Sequence, residues 1–300
     1  VRLSLVWNKS LHLRIRHRTL YRYPAPSTES HNEVRLEPVR DECQSCLRFE
    51  IRSEPPSKIF SFSEPGGNVH HFTLRSPHRT LTILAESEVE THCANPFEAL
   101  NLIEPDLDFY EQPDARQTYA EYLAPSPFVA ITEEAKQLAM QIKGQSEGVT
   151  ALFLLGLNQY IFKHLAYDPD VTHVHSTVDE VFSLKAGVCQ DFAHVMIACC
   201  RSVGIPARYV SGYLHSSRGS GIRGSEAMHA WVECPLPNGH NMALDPTNNL
   251  LANDHHVRVH TGRDYADITP LKGLYKGASE QKLEVHIEVD EVAGVRQGIA

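Results

Sequence analysis

The stretch Ser183-Leu-Lys-Ala-Gly-Val-Cys-Gln-Asp-Phe-Ala-His-Val-Met-Ile-Ala-Cys-Cys-Arg-Ser-Val-Gly-Ile-Pro-Ala-Arg-Tyr-Val-Ser-Gly-Tyr213 decides how the rest of the chain is read. It has the grammar of a loop, a buried helix, a stop signal and a strand. Gly187 permits a tight turn, and Cys189 falls at the first helical turn. Phe192, Val195, Met196, Cys199 and Val203 recur at three- and four-residue steps, which makes one helix face apolar. Gly204 suits a left-handed cap and Pro206 forbids continuation. A cysteine at a helix start sits at the positive end of the helix dipole, which favours negative charge on its sulfur. Cys189 is therefore the candidate nucleophile.

Working outward, 300 residues suffice for two domains, each with its own core. A hydrophobic share of 42% and a charged share of 22% are those of a globular chain. A formal net charge of −9 argues against nucleic acid as a partner, since phosphate binding needs a basic face. The apolar runs are too short to cross a bilayer, so no membrane partner is expected. Seven cysteines, odd in number and with Cys199 and Cys200 adjacent in one helix, make a poor disulfide framework. They fit a reducing, cytoplasmic setting. Residues 1–11 lack a small-residue cleavage site, so no secretory signal is expected, although Val1 in place of Met leaves a processed or truncated start open.

Residues 1–92 read as an N-terminal β domain, a small sandwich. Leu13, Ile15 and, after a slip, Leu20 interleave with arginines, and Leu47 to Arg52 alternates cleanly. Ser63 to Asn68 is a turn before the alternating run Val69 to Leu74, and Leu81 to Val89 is expected to close the module. Arg2, Lys9, Arg14, Arg16, Arg18 and Arg22 precede the first acid, Glu29. They suit the solvated face of an edge strand better than a patch for an acidic partner. Residues 93–128 form a proline-rich, acidic connector with one short helix around Arg116 to Leu123.

Residues 129–300 form the second domain. Thr132 with Glu133 and Glu134 marks a helix start, a second helix runs from Thr150 to His164, and a short one covers Val178 to Phe182. Strands are expected at Ala207 to Leu214, Met228 to Cys234, Asn241 to Leu244 and Leu283 to Val289. Helices followed by antiparallel strands make the fold class α+β.

A cysteine nucleophile needs a base and a third group that holds the base in one tautomer. Alternation places His229, Trp231 and Glu233 on one strand face, with Ala230 and Val232 towards the core. Asp245 ends the next strand, where Pro246 stops the pairing. Adjacent antiparallel strands bring Asp245 beside His229. Each residue alone would be ordinary core; in this order they are far more specific.

Gly187 to Ala193, Arg201 to Tyr213, His229 to Glu233 and Leu244 to Asn248 together resemble the transglutaminase-like superfamily, whose core is papain-like. Gly262 to Asp267 and the last strand resemble its bacterial branch, which carries an N-terminal β domain like residues 12–92. By that resemblance Cys189 is the nucleophile, His229 the general base and acid, and Asp245 the orienting carboxylate. The implied chemistry is acyl transfer through a thioester on Cys189, with a peptide or protein amide as substrate, and with no cofactor or metal. Hydrolysis is favoured over amine transfer because water is abundant; a non-enzymatic binding module on the same fold is the alternative from another class. A local departure is Gly239-His240, where relatives often have Gly-Trp, at the expected substrate-side wall.

Competing signals are weaker. Cys43 and Cys46 have the spacing of half a zinc ribbon, but no second pair follows. His70-His71, His173 with His175, and His255-His256 could bind metal, though such pairs are more often surface or hydrogen-bonded core. His215 to Glu226 lacks the ending of a phosphate loop and reads as a mobile connection bordering the cleft.

Overall fold

The structure, a computed structural model, describes residues 10–93, 95–98, 100–216, 221–225, 227–277 and 280–292. The N-terminal strands are β1 (Leu11–Ser27), β2 (Glu29–Val34), β3 (Gln44–Glu54), β4 (Phe60–Glu64), β5 (Gly67–Leu74) and β6 (His78–Thr91). A 3-10 turn (Leu107–Glu111) and two short helices, α1 (Pro113–Thr118) and α2 (Ala120–Leu123), occupy the connector. There follow α3 (Glu133–Gln145), α4 (Thr150–His164), β7 (Ala166–Tyr167), α5 (Val178–Leu184), β8 (Ala186–Gly187) and α6 (Cys189–Ser202). The remaining strands are β9 (Arg208–Leu214), β10 (His229–Pro235), β11 (Asn241–Asp245), β12 (Leu250–Leu251), β13 (His256–Gly262), β14 (Leu271–Lys276) and β15 (Lys282–Glu291).

The fold class is α+β, with an antiparallel β region ahead of helices packed on an antiparallel sheet. Two four-stranded sheets, ordered β15-β1-β6-β3 and β14-β2-β5-β4, enclose a core that includes Val34, Phe72, Leu81 and Ile83. β14 and β15 thus return to the first module. The last strand was expected among the strands of the second domain; it forms, but pairs with β1 along Leu13↔Glu291 to Arg22↔Lys282.

β1 is also an interior strand, not an edge. Its odd-numbered residues from Leu11 to Thr19 are buried while Arg14, Arg16 and Arg18 face solvent. Arg14 and Arg16 meet Glu88 and Glu86 across the ladder, both at 3.3 Å, and Arg22 meets Glu284 at 3.1 Å. These are cross-strand charge pairs on a wet face, each worth a fraction of a kcal/mol. Likewise β6 lies between β1 and β3 and does not close its sheet. Arg2 and Lys9 lie outside the described residues.

The third sheet runs β12-β11-β10-β9-β13, with α6 packed against β10 and β9. Helix α6 was expected to bury one face; it is buried almost all round, because α3, α4 and α5 cover the sides the sheet does not. On α4, Phe153, Leu154, Leu157 and Ile161 are fully buried in this core. Truncating one of them to alanine should cost about 2–5 kcal/mol.

Two contacts lock the β domain onto the core. Leu13, Ile15 and Ile287 pack with Tyr213, Val257 and Val259. At the β4–β5 turn, Gly66 (φ +99°) lies so near Thr261 that a Cβ would stand 2.2 Å from the Thr261 carbonyl oxygen. Only glycine tolerates both that angle and that approach.

Candidate active site

Cys189 opens α6, so the first-turn N–H groups around its sulfur have no acceptor within the helix. The approach to this end is fixed by Asp191, whose carboxylate accepts from the Val188 N–H (2.8 Å) and the Thr172 hydroxyl (2.7 Å). Gly187 is required beside it, because a Cβ there would lie 2.7 Å from Asp191 Oδ2. Burial pushes the Asp191 carboxyl up, while those two hydrogen bonds pull it down. The Cys189 sulfur is buried beside the Met228 carbonyl oxygen, at 3.8 Å.

His229 begins β10 and Asp245 ends β11, adjacent strands in the third sheet. His229 Nε2 and Asp245 Oδ2 are 2.9 Å apart, and both residues are buried. Burial disfavours the imidazolium. The Asp245 carboxylate and the Cys189 sulfur outweigh it, and the His229 pKa is raised to about 10. Nδ1, the other ring nitrogen, is buried without a nitrogen or oxygen partner among the described residues. The Cys189 sulfur is the other group that acts on this ring.

The sequence Leu244-Asp-Pro-Thr-Asn248 folds around its own aspartate. Asp245 Oδ1 accepts from the backbone N–H of Thr247 (2.9 Å) and Asn248 (3.2 Å), and Oδ2 accepts from Asn248 Nδ2 (2.8 Å). Burial alone would raise this carboxyl, but His229 and His256 hold it well below the usual carboxylate range. Asn248 also ties down the loop that follows β9, accepting from the Arg223 N–H (2.8 Å) and donating to the Arg223 carbonyl (3.1 Å). That loop brings Gly224 (φ +80°) over the histidine, where a Cβ would stand 2.7 Å from Nδ1.

His256 is the residue at this site to which the sequence reading gave no role in the chemistry. Asn253 donates its N–H to His256 Nδ1 (3.2 Å), so the proton lies on Nε2 and points at Asp245 Oδ2, 3.3 Å away. Burial lowers the His256 pKa, which keeps the ring neutral. The signal was present as the alternation His256-Val257-Arg258-Val259, that of a strand beside β9, but a bulge between Arg258 and His260 breaks the pattern.

His229, Asp245 and His256 are also the one group among the described residues whose possible metal-ligating atoms converge, within 4.8 Å. Those atoms are engaged with one another through N–H···O contacts. The other metal candidates disperse. The Cys93 thiol donates to the Cys43 carbonyl (3.7 Å) and the Cys46 thiol to the Arg48 carbonyl (3.4 Å), His175 stacks on Phe128, and His70 faces Glu37 at 3.4 Å. His240 lies on the exposed turn after β10, at the far end of that strand from His229, so the Gly239-His240 departure does not touch the site.

A cleft of about 800 Å³ opens above Cys189 and His229. Tyr167, Tyr209 and Tyr265 line the core side, with Ile222 to Ser225 forming part of the rim. The motif Arg263 to Asp267 supplies Tyr265: Arg263 pairs with Asp267 (2.8 Å) and buried Asp264 caps the Phe128 N–H (2.7 Å). The loop after β9 thus borders the cleft as expected for Ile222 to Ser225, while residues 217–220 and 226 lie outside the described set.

Comparison with known proteins agrees with this architecture. Residues 136–246 match the transglutaminase-like superfamily, and residues 13–90 match the bacterial transglutaminase-like N-terminal region. An uncharacterized protein of Mycobacterium leprae is 32% identical over 286 residues, which is 94% of this chain and 99% of the relative. A protein-glutamine gamma-glutamyltransferase of Pseudomonas aeruginosa is 29% identical over 119 residues, 38% of this chain and 18% of that protein. Among solved structures, a suspected cysteine protease from Cytophaga hutchinsonii superposes with a TM-score of 0.75 at 22% identity, covering 95% of this chain and 92% of that one. With its superfamily core, its bacterial N-terminal region and a full-length relative in agreement, this chain belongs to the transglutaminase-like superfamily.

Proposed function

We propose that the protein is a cysteine-dependent acyl-transfer enzyme that hydrolyses amide bonds of peptides or proteins. Cys189 is the nucleophile, His229 the acid and base, and Asp245 the orienting carboxylate. The observation that supports this most is the division of labour on His229. Nε2 is held 2.9 Å from a buried carboxylate, while Nδ1 has no hydrogen-bond partner among the described residues and the Cys189 sulfur at the start of α6 acts on the same ring.

In the first half-reaction the sulfur attacks the carbonyl carbon and an S–C bond forms. First-turn N–H groups of α6 stabilise the oxyanion. Tyr167 is the candidate second donor: it lines the cleft, and its hydroxyl lies 3.7 Å from where a Gly224 side chain would begin. The C–N bond then breaks as His229 Nδ1 gives its proton to the leaving amine, leaving a thioester. Water, deprotonated by the same nitrogen, attacks the thioester; the acid leaves and the cysteine is restored. We place this chemistry in a reducing, cytoplasmic setting, supported by seven free thiols, and assign it no nucleic-acid or membrane partner.

The test is a glutamine-containing peptide incubated with a labelled primary amine. Peptide hydrolysis exceeding label incorporation is expected, and dominant incorporation would replace hydrolysis with amine transfer. Substrate turnover unchanged in Cys189→Ala would remove Cys189 as the nucleophile, and an absence of turnover together with ligand binding unchanged in that variant would return the chain to a binding role.

A further inference from the structure

We infer that the cleft above Cys189 is a specificity pocket shared between the two domains, built for an uncharged, apolar or aromatic side chain beside the amide that is cut. This rests on the acyl-transfer reading above and adds the class of substrate to it.

The selective wall comes from the β domain. In the β1–β15 ladder Tyr21 pairs with Leu283, Thr19 with Val285 and His17 with Ile287, so these side chains share one face of the sheet. The alternate residues Lys282, Glu284, His286 and Glu288 occupy the other face, where Arg22 meets Glu284 at 3.1 Å. One end of the apolar stripe is sealed: Ile287 is 9% exposed and packs with Leu13, Ile15, Tyr213 and Val257. The other end is open. Leu283 is 52% and Val285 44% exposed, and with Tyr21 they line the same cleft as Cys189. The stripe that glues the domains together therefore runs on, uncovered, to the candidate nucleophile.

The chemistry of the remaining lining fits the same occupant. Met228, Tyr167 and Tyr265 face it from the core, and the described lining residues include no aspartate, glutamate or lysine. Arg223 is there, but its guanidinium lies over the Phe162 ring, 5.1 Å from its centroid. His17, buried with its pKa lowered to about 4, is neutral near pH 7. A charged substrate side chain would lose its water in this cleft. A basic one would meet no carboxylate among the described lining residues, and an acidic one would meet only Arg223, stacked on Phe162, and His229, already paired with Asp245. An apolar one gains by leaving water. A volume of about 800 Å³ is that of an organic-ligand site and exceeds one side chain, so flanking residues of a peptide are accommodated as well.

The experiment uses the full chain and a set of N-acetyl amino-acid chloromethyl ketones carrying Phe, Leu, Asp or Lys side chains, with Cys189 labelling read by mass spectrometry. Iodoacetamide, too small to reach the wall, serves as the reference. The Phe and Leu reagents should label Cys189 at least ~10-fold faster than the Asp and Lys reagents. Leu283→Glu with Val285→Glu should abolish that preference, each reagent's rate being divided by the iodoacetamide rate of the same variant. The milder pair Leu283→Asn with Val285→Thr, at half-exposed positions, should weaken it in the same direction if the glutamates disturb folding. Equal rates across the set, or a preference that survives both variants, would overturn the inference while leaving the acyl-transfer reading intact. An iodoacetamide rate no higher than that of His229→Ala would overturn both.

Discussion

Strand β10 carries two buried ionisable side chains on one face, His229 and Glu233, and their surroundings differ in one respect. Glu233 accepts from Arg208 Nε (3.0 Å) and Nη2 (2.7 Å), and faces Arg258 Nη2 at 2.5 Å. Arg258 in turn reaches Asp41 of the β domain at 2.9 Å, and its backbone N–H donates to Gln44 (2.7 Å). Every charge there meets its opposite, so that end of the strand is a clamp between domains. At the other end Asp245 takes only one nitrogen of His229. The second nitrogen faces a sulfur in a cleft that a substrate can enter. Burial and pairing are common to both ends; a titrating atom left at the edge of an accessible space distinguishes the candidate reactive one.

Substitutions at the two ends should therefore separate activity from stability. Asp245→Asn keeps the shape but removes the charge that holds His229 in place. Turnover of an amide substrate should fall ~10²- to 10⁴-fold while circular dichroism stays native. Glu233→Ala removes the carboxylate from Arg208 and leaves Arg258 with Asp41 alone, both guanidinium groups being partly solvated, and should cost about 3 kcal/mol of stability in urea unfolding. Its Cys189 alkylation rate should stay within a factor of about two of wild type, set by the unchanged His229 pair. Removing His256 lies between these extremes. In His256→Ala, Asp245 keeps Asn248 and the Thr247 N–H, so kcat should fall only ~10-fold with KM little changed. A loss as large as that of Asp245→Asn would make His256 an equal partner.

The ionisable groups also give stability a dependence on pH. Burial disfavours charged His229, but Asp245 and Cys189 raise its pKa above the unfolded value, to about 10. Its contribution to folding is thus full below about pH 6.5 and is lost as pH rises towards 10. The stability gap between wild type and His229→Ala should narrow over that range. His17 and His194 act in the opposite sense. Burial lowers both to about 4, so they should weaken the fold as pH falls from about 6.5 towards 4. Thermal unfolding followed at several pH values measures both trends.

The helix at Cys189 and the strands at His229 and Asp245 were legible because local rules coincide there: a glycine turn, a Gly-Pro stop, period-two alternation and a strand-ending Asp-Pro. α4 falls on the expected Thr150–His164 for the same reason, as does the cap in which Ala135 donates to Thr132 Oγ1 at 3.2 Å. What stayed hidden depended on long-range pairing. Nothing local to Leu283 says that β15 crosses back to β1, although that crossing carries Leu283 to the cleft. Nor could spacing reveal that His256 donates to Asp245, since β13 lies across the sheet on the far side of β9.

The most direct measurement of the central claim is the rate at which Cys189 reacts with iodoacetamide at pH 6, in wild type and in His229→Ala, located by peptide mapping. A protonated His229 beside the sulfur predicts stoichiometric labelling of Cys189, at least ~10-fold faster in wild type than in the variant. Equal rates in the two proteins, or label distributed over the other cysteines, would contradict it.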